Sequence, residues 1–373
     1  MKNKENILKL EKYINILNNK ENNIFFCVPE IDTPSSSINE IYFQAKVLAD
    51  DGYTVVMLTE SDNGKKSVWV DDEYDVLEHK SLVSNKLVIS PSDILVIPDV
   101  LTNVMEQTKD IPAMKIVLFQ SIDYALNSLI VGSDWTNFGI YNVLCNNKIG
   151  VDFINYYFKK NFNIKQYPIG IPEYFKSDEN QIKNPVVSIV GRNSNDISKI
   201  VKLFYAKYPE FSWVSFDPLV TKTEPAQLLE RKQFANRLKE NFAAIWVDRI
   251  STFGTFPLEC MKAGVVPVCF IPEIEPDYFS EHSKELMETG YWSNNIYNFP
   301  TIVAQLLADF MGDTIKEESM EMMKNIANEY SVEKSKTEVL KQYFEFMEER
   351  KTLFIKTKEN LEKAEGEDNN EKK

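Results

Sequence analysis

The sequence predicts an α/β protein of two tandem domains, each a parallel sheet flanked by helices. Three observations predict it. Short apolar runs rich in β-branched and aromatic residues alternate with segments of helical spacing. That alternation breaks at the proline-interrupted polar stretch YPIGIPEYFKSDENQIKNP, from Tyr167 to Pro185, and then resumes. A chain of 373 residues also has room for two domains of about 150 residues and a terminal extension.

The first series of strands is read at FFCV from Phe25, TVVML from Thr54, DILVIP from Asp93, KIVLF from Lys115 and VLCN from Val143. Between the first two, Ile38 to Ala49 has helical spacing of Ile41, Ala45, Leu48 and Ala49. It follows Ser35, Ser36 and Ser37, one of which can cap it; their hydroxyls and amides are also placed to meet an acceptor or a phosphate. The second series is VVSIV from Val186, SWVSF from Ser212, AAIWV from Ala243 and VVPVCF from Val265, with helical segments at about 195 to 207 and 225 to 241. The chain then turns helical, from FPTIVAQLLADFM through EVLKQYFEFMEERKTLF, where Val339, Leu340, Tyr343, Phe344 and Met347 share one face. The last stretch, KENLEKAEGEDNNEKK, has almost nothing to bury and reads as disordered. The resulting division is an N-terminal domain over 1–168, a second domain over 169–335, a helix over 336–357 and a tail over 358–373.

A net charge of −14 argues against a nucleic-acid or anionic-membrane partner, while leaving room for a local basic cleft around a small phosphate-bearing ligand. Cys27, Cys145, Cys260 and Cys269 form no CxxC pair, and His79 and His282 are the only histidines. The thiols therefore read as reduced core residues. No apolar run approaches the roughly 18 residues of a transmembrane segment, and MKNKENILKL lacks a signal-peptide core, so a cytoplasmic protein is expected. The acidic run VDDEYD at 70–75 lacks the Gly and terminal Glu of a calcium loop and reads as an acidic turn. YWSNNIYNF from Tyr291 reads either as a packed segment or as a sugar platform.

Chemistry concentrates in STFGTFPLECMKAGVVPVCFIPE, residues 251–273. Open parallel sheets bind ligands beyond the carboxyl ends of their strands. The strand AAIWV ends at Val247, so Asp248 to Phe256 is such a loop, and Pro257 is expected at the first helical position. The N–H groups of Leu258, Glu259 and Cys260 would then face an anion such as a diphosphate. Glu259 either accepts hydrogen bonds from neutral hydroxyls or complements the helix dipole.

FGTFPLECMKAGVVPV, together with GRNSNDISK and YPIGIPEYF upstream, resembles the nucleotide-sugar-dependent glycosyltransferases of the GT-B fold, in particular the retaining family with a Glu-x7-Glu motif. The resemblance runs from FFCVPE to the C-terminal helices. It implies two Rossmann-like domains with parallel sheets facing a central cleft, and a C-terminal helix returning to the first domain. It further implies a nucleoside-diphosphate sugar as donor substrate with no cofactor or metal, and a glycan or glycoconjugate acceptor. Glu259 matches the second Glu, which contacts the donor ribose, and Arg192 matches the basic residue on the diphosphate. The family's lysine would fall at Ile197, leaving Lys199 as the nearby candidate. Phe253 and Gly254 match the loop whose backbone faces the sugar, with Ser251 and Thr255 beside them as further donor-binding candidates.

The chain departs from that family at three further places. Ser251 stands where the first Glu would be, so Asp248 is the candidate to supply a carboxylate to the transferred sugar. Gln120, followed by Ser121, stands where the family has an N-domain histidine. PEIDTPSSS, residues 29–37, replaces the glycine-rich first loop. No protein nucleophile is evident, and the resemblance implies front-face transfer with retention. Two other expectations stay open on these departures: a GT-B-like binding or structural protein without turnover, and a sugar-nucleotide epimerase.

Overall fold

The computed structural model describes residues 2–31, 35–61, 69–82, 87–158, 162–178, 181–218, 230–250, 253–282 and 288–370. Among these residues twelve strands form two sheets. The first holds β1 (Asn23–Cys27), β2 (Thr54–Thr59), β3 (Glu78–Ser81), β4 (Ile94–Pro98), β5 (Met114–Phe119), β6 (Asn142–Cys145) and β7 (Asn163–Gln166), in the order β3-β2-β1-β4-β5-β6-β7. The second holds β8 (Asn184–Gly191), β9 (Ser215–Asp217), β10 (Asn241–Val247), β11 (Val266–Phe270) and β12 (Tyr291–Ser293), in the order β12-β11-β10-β8-β9. Every strand pair is parallel. Both orders run outwards from a central strand and then reverse, which opens a crevice at the carboxyl ends.

The period of two along each strand explains why both faces of the first sheet are covered. Ile24, Phe26, Val55, Met57, Val96 and Ile116 pack on one side with the helix Ser36–Asp50, while Phe25, Cys27, Val56, Leu95, Val117 and Phe119 pack on the other with Met105, Trp135 and Ile154. Cys27 and Cys145 lie on the second of these faces and Cys260 and Cys269 in the core of the second sheet, all four as free, buried thiols; burial pushes the Cys27 thiol up to about 12. Ser35 caps the helix Ser36–Asp50, its side chain accepting from Ile38 N.

The chain crosses between sheets at Tyr167–Pro172 and again at Tyr330–Val332, and the two crossings bond to each other. Ile171 N donates to Tyr330 O at 2.8 Å. The last helix, Val332–Asn370, lies on the first domain. Val339, Tyr343, Phe346, Met347 and Phe354 are buried there, Tyr343 OH donates to Gln44 Oε1 at 2.9 Å, and Lys165 Nζ pairs with Glu345 and Glu349. Phe344, expected on the buried face, is instead 55% exposed. The seam passes through Phe346, which is three residues past Tyr343 and so lies on its side of the helix. The helix also continues to Asn370, through the stretch expected to be disordered. There, straight-chain helix formers are joined by pairs such as Lys358 with Glu362 and with Glu11 of the first helix.

Candidate active site

Five strand ends bring their loops to one crevice between the domains. The cavity there, of about 250 Å³, has one wall from the first domain: Ser35 to Ser37 and Glu40 after β1, Gln120 and Tyr124 after β5, and Asn146 after β6. The facing wall is Gly191 and Arg192 at the end of β8, Asp248 after β10, and Phe253 to Phe256 with Glu259. Thr255 Oγ1 donates to Ser36 Oγ at 2.8 Å across the cleft. Two glycines let the backbones close in. A Cβ on Gly191 would meet Val247 O at 2.5 Å, and Gly254 sits at φ 72°, ψ 62°, a left-handed conformation that glycine adopts without penalty.

Gly254 sets the start of the helix Thr255–Lys262, and this corrects the sequence reading. Pro257 is the third helical residue rather than the first, so the N–H groups of Leu258, Glu259 and Cys260 lie within the helix's own ladder. The unladdered amides of the first turn are those of Gly254, Thr255 and Phe256. Proline costs nothing at that third position, because its missing N–H would have had no intrahelical partner. Tyr278 OH holds the turn in place by donating to Gly254 O at 2.7 Å.

Arg192 is half-exposed, with Nε 2.9 Å from Asp248 Oδ2 and its guanidinium 5.3 Å from the centroid of the Tyr124 ring. Asp248 is buried. Burial raises its carboxyl above the ordinary range, and Arg192 and the N–H of Ile250 pull it back. Both Asp248 oxygens are thus engaged. Each oxygen keeps a second lone pair with which it could accept from a hydroxyl. Lys199 stands apart: on the helix Ser194–Lys207 it is 54% exposed beside Asp196, outside the cavity lining. Ser251 lies outside the described residues.

Glu259 meets a partner that neither reading of the sequence contained. It is 2% exposed, and its Oε1 accepts from Arg231 Nη2 at 2.7 Å. Burial raises the Glu259 carboxyl and Arg231 opposes that rise. Arg231 in turn stacks 5.7 Å from the Phe175 ring centroid. The acidic run contributes to the same region, since Asp71 Oδ2 accepts from Tyr174 OH at 2.8 Å. YWSNNIYNF supplies β12, with Trp292 packed 4.5 Å from Phe279.

Gln120 is anchored from behind. Asp99 Oδ2 accepts from the backbone N–H of Gln120 and of Ser121, at 2.8 and 3.0 Å; burial raises Asp99 to about 7, against these bonds. The Gln120 side chain donates to Ser37 O at 2.9 Å and to Glu40 Oε2 at 3.0 Å. Glu40, Asn146, Tyr124 and Arg231 are site residues that the sequence did not single out. For Glu40 a signal was present, namely a carboxylate next to Asn39 inside the mainly apolar helical stretch INEIYF.

Burial raises Glu40 from 4.5 to about 8, while its bonds from Gln120 and Asn146 act the other way. The folded protein therefore holds this proton more tightly than the unfolded chain, so the group's stabilising proton is present below the unfolded value and lost as pH rises towards the folded one. Glu40→Gln, shaped like the protonated acid, should melt at nearly the wild-type temperature near pH 5 and a few degrees above it at about pH 8. A constant difference across that range, read by thermal unfolding in matched buffers, would show that Glu40 is ionised throughout.

No protein-family model matches the sequence, and no curated protein matches it. Solved structures do. Sucrose-phosphate synthase from Thermosynechococcus elongatus superposes with a TM-score of 0.59 at 10% identity, covering 87% of this chain and 99% of that one. The pneumococcal O-GlcNAc transferase GtfA, solved with UDP and GlcNAc, gives 0.58 at 11% identity, covering 88% and 99%. HepE of Anabaena, solved with UDP and glucose, gives 0.59 at 12% identity, covering 86% and 98%. Among the described residues no helix is long and apolar enough to cross a membrane. Two parallel sheets meeting across a cleft, over nearly the full length of these neighbours, give this chain the GT-B fold of nucleotide-sugar glycosyltransferases.

Proposed function

We propose that the protein is a metal-independent glycosyltransferase that moves a hexose-type sugar from a nucleoside-diphosphate sugar to a glycan, lipid-linked or protein acceptor, with retention at the anomeric carbon. The observation that carries this reading is Arg192 lining the same cavity as the amide-bearing start of the helix Thr255–Lys262, opposite a polar wall from the other domain. As the bond from the anomeric carbon to the phosphate oxygen opens, negative charge grows on the leaving diphosphate. A guanidinium and fixed amides in a cleft sheltered from water stabilise that charge. The acceptor hydroxyl then attacks from the face the phosphate leaves, and the departing phosphate takes its proton. Asp248, held against Arg192, keeps the guanidinium oriented. Three neighbours fit this reading: a sucrose-phosphate synthase and two structures that hold UDP with a sugar.

A binding protein without turnover is the second reading, favoured by Gln120 and Ser251 at the two departures and by the engagement of both Asp248 oxygens. The test is a panel of UDP-, GDP-, ADP- and dTDP-glucose with UDP-N-acetylglucosamine, followed by thermal shift and by release of free nucleoside diphosphate. A transferase raises the melting temperature with one donor and releases its nucleoside diphosphate. Binding without release selects the second reading, and conversion to a sugar epimer would identify an epimerase. No shift with any donor removes the donor site altogether.

A further inference from the structure

The first-domain wall of the cavity contains a polar cluster that the diphosphate chemistry does not use. Glu40 comes from the helix Ser36–Asp50, Gln120 from the end of β5 and Asn146 from the end of β6. Glu40 Oε2 accepts from Gln120 Nε2 at 3.0 Å and from Asn146 Nδ2 at 3.3 Å, while Oε1 has no hydrogen-bond partner among the described residues. Gln120 is fixed by Ser37 O and, through its backbone, by Asp99; Asn146 Oδ1 accepts from Asn147 Nδ2 at 2.7 Å. All three side chains are at least nine-tenths buried, with Glu40 at 8% exposed.

Burying a carboxyl with one oxygen unmatched is costly. An apolar residue on this helix would avoid the unmatched oxygen but would leave the buried Asn146 amide without this acceptor. The cluster instead has the character of a recognition surface, in which two amides aim a carboxyl whose second oxygen is left over. Its place in the cavity narrows the ligand. Arg192 and the first-turn amides Gly254 to Phe256 lie on the facing wall, where a diphosphate would be held, and Glu40 lines the same cavity opposite them, within reach of a group attached to that diphosphate. Vicinal hydroxyls both donate and accept, and a carboxyl beside two amides matches that mixed pattern.

We propose that Glu40, held by Gln120 and Asn146, binds hydroxyl groups of the sugar carried by the donor, so that the first domain takes part in reading the sugar. This rests on the glycosyltransferase reading of the cleft. Glu40 is then a specificity residue, and the nucleotide half of the donor does not touch it.

The test compares the best-binding nucleotide sugar of the panel with its own free nucleoside diphosphate, by calorimetry, in wild type, Glu40→Leu, Glu40→Gln and Asn146→Ala. Glu40→Leu should weaken the nucleotide sugar about threefold to tenfold, as for loss of a hydrogen bond made by a neutral acid, and leave the nucleoside diphosphate within about twofold. Glu40→Gln, which keeps an oxygen and a donor, should lose less, and Asn146→Ala should move sugar affinity in the same direction without touching the carboxyl. Equal losses for both ligands would make Glu40 a structural residue, and an unchanged sugar affinity would remove it from the sugar site; either overturns the inference. If wild type binds the nucleoside diphosphate and Glu40→Leu does not discriminate, the inference fails while the donor site stands. If wild type binds neither ligand, the donor reading fails first and this inference with it. Should Glu40→Leu not fold, the Glu40→Gln and Asn146→Ala comparison decides on the same criterion.

Discussion

Glu259→Ala should lower the unfolding free energy by about 3 to 5 kcal/mol, the range for breaking a buried ion pair from one side. Glu259 and Arg231 are 2% and 4% exposed, and their 2.7 Å contact joins the helix Thr255–Lys262 to the helix Arg231–Glu240. Arg231 Nε and Nη1 already lack hydrogen-bond partners among the described residues. Without Glu259 the guanidinium loses its one direct ion pair among the described residues, and a guanidinium cannot shed its proton to escape the cost. The partner experiment is the double variant Arg231→Leu/Glu259→Leu. Replacing both charges with apolar groups removes the two desolvation costs along with the attraction, so most of the lost stability should return. Urea unfolding of the three proteins reads the result. A loss below about 1 kcal/mol for Glu259→Ala would place the pair with solvent-screened surface bridges.

That ion pair also shows where the sequence stopped being legible. The strands that were readable are those buried on both faces: β1, β2, β4, β5 and β6 in the first sheet, and β8, β10 and β11 in the second, each a run of Val, Ile, Leu or Phe. The ones not read, β3 with EHKS, β7 with NIKQ and β12 with YWS, are all sheet edges. An edge strand is short and partly solvated, so it carries no continuous apolar signal. β9 is also an edge. It begins at Ser215 rather than Ser212, since the three-residue turn Pro209–Phe211 delays the extended chain.

The site divides along a similar line. Arg192, Phe253, Gly254, Thr255 and Glu259 follow strands in ways that a local pattern shows, and the structure brings them to one cavity. Gln120 arrives there too. Glu40 and Asn146 could not be tied to the site locally, because what unites them with Gln120 is three separate strand ends converging on one crevice. Arg231 is 28 residues from Glu259, a separation at which no periodicity operates. The two-residue error in the helix start has a smaller cause. A left-handed Gly254 starts the helix abruptly, and the pattern of Pro257 alone cannot distinguish the first from the third helical position.

Arg192→Ala should weaken nucleoside diphosphate binding by about 1.5 to 3 kcal/mol, the value of a charge-assisted bond, which is roughly tenfold to a hundredfold in affinity. The corresponding nucleoside should be affected far less, because only the diphosphate presents the charge that a guanidinium meets. The ion pair with Asp248 complicates the single variant in a way that can be measured. Without Arg192 the buried Asp248 carboxyl loses the charge that lowers it, and any fraction still ionised repels the incoming diphosphate. Part of the loss is then new repulsion instead of lost attraction. Asp248→Asn added to Arg192→Ala removes that repulsion and should recover part of the affinity, but not all of it. Full recovery in the double variant would mean that Arg192 only neutralises Asp248 and never meets the phosphates. Equal losses for nucleoside and nucleoside diphosphate would mean that the Arg192–Asp248 pair holds the shape of the cleft and that the diphosphate is bound by the amides of Gly254, Thr255 and Phe256 alone.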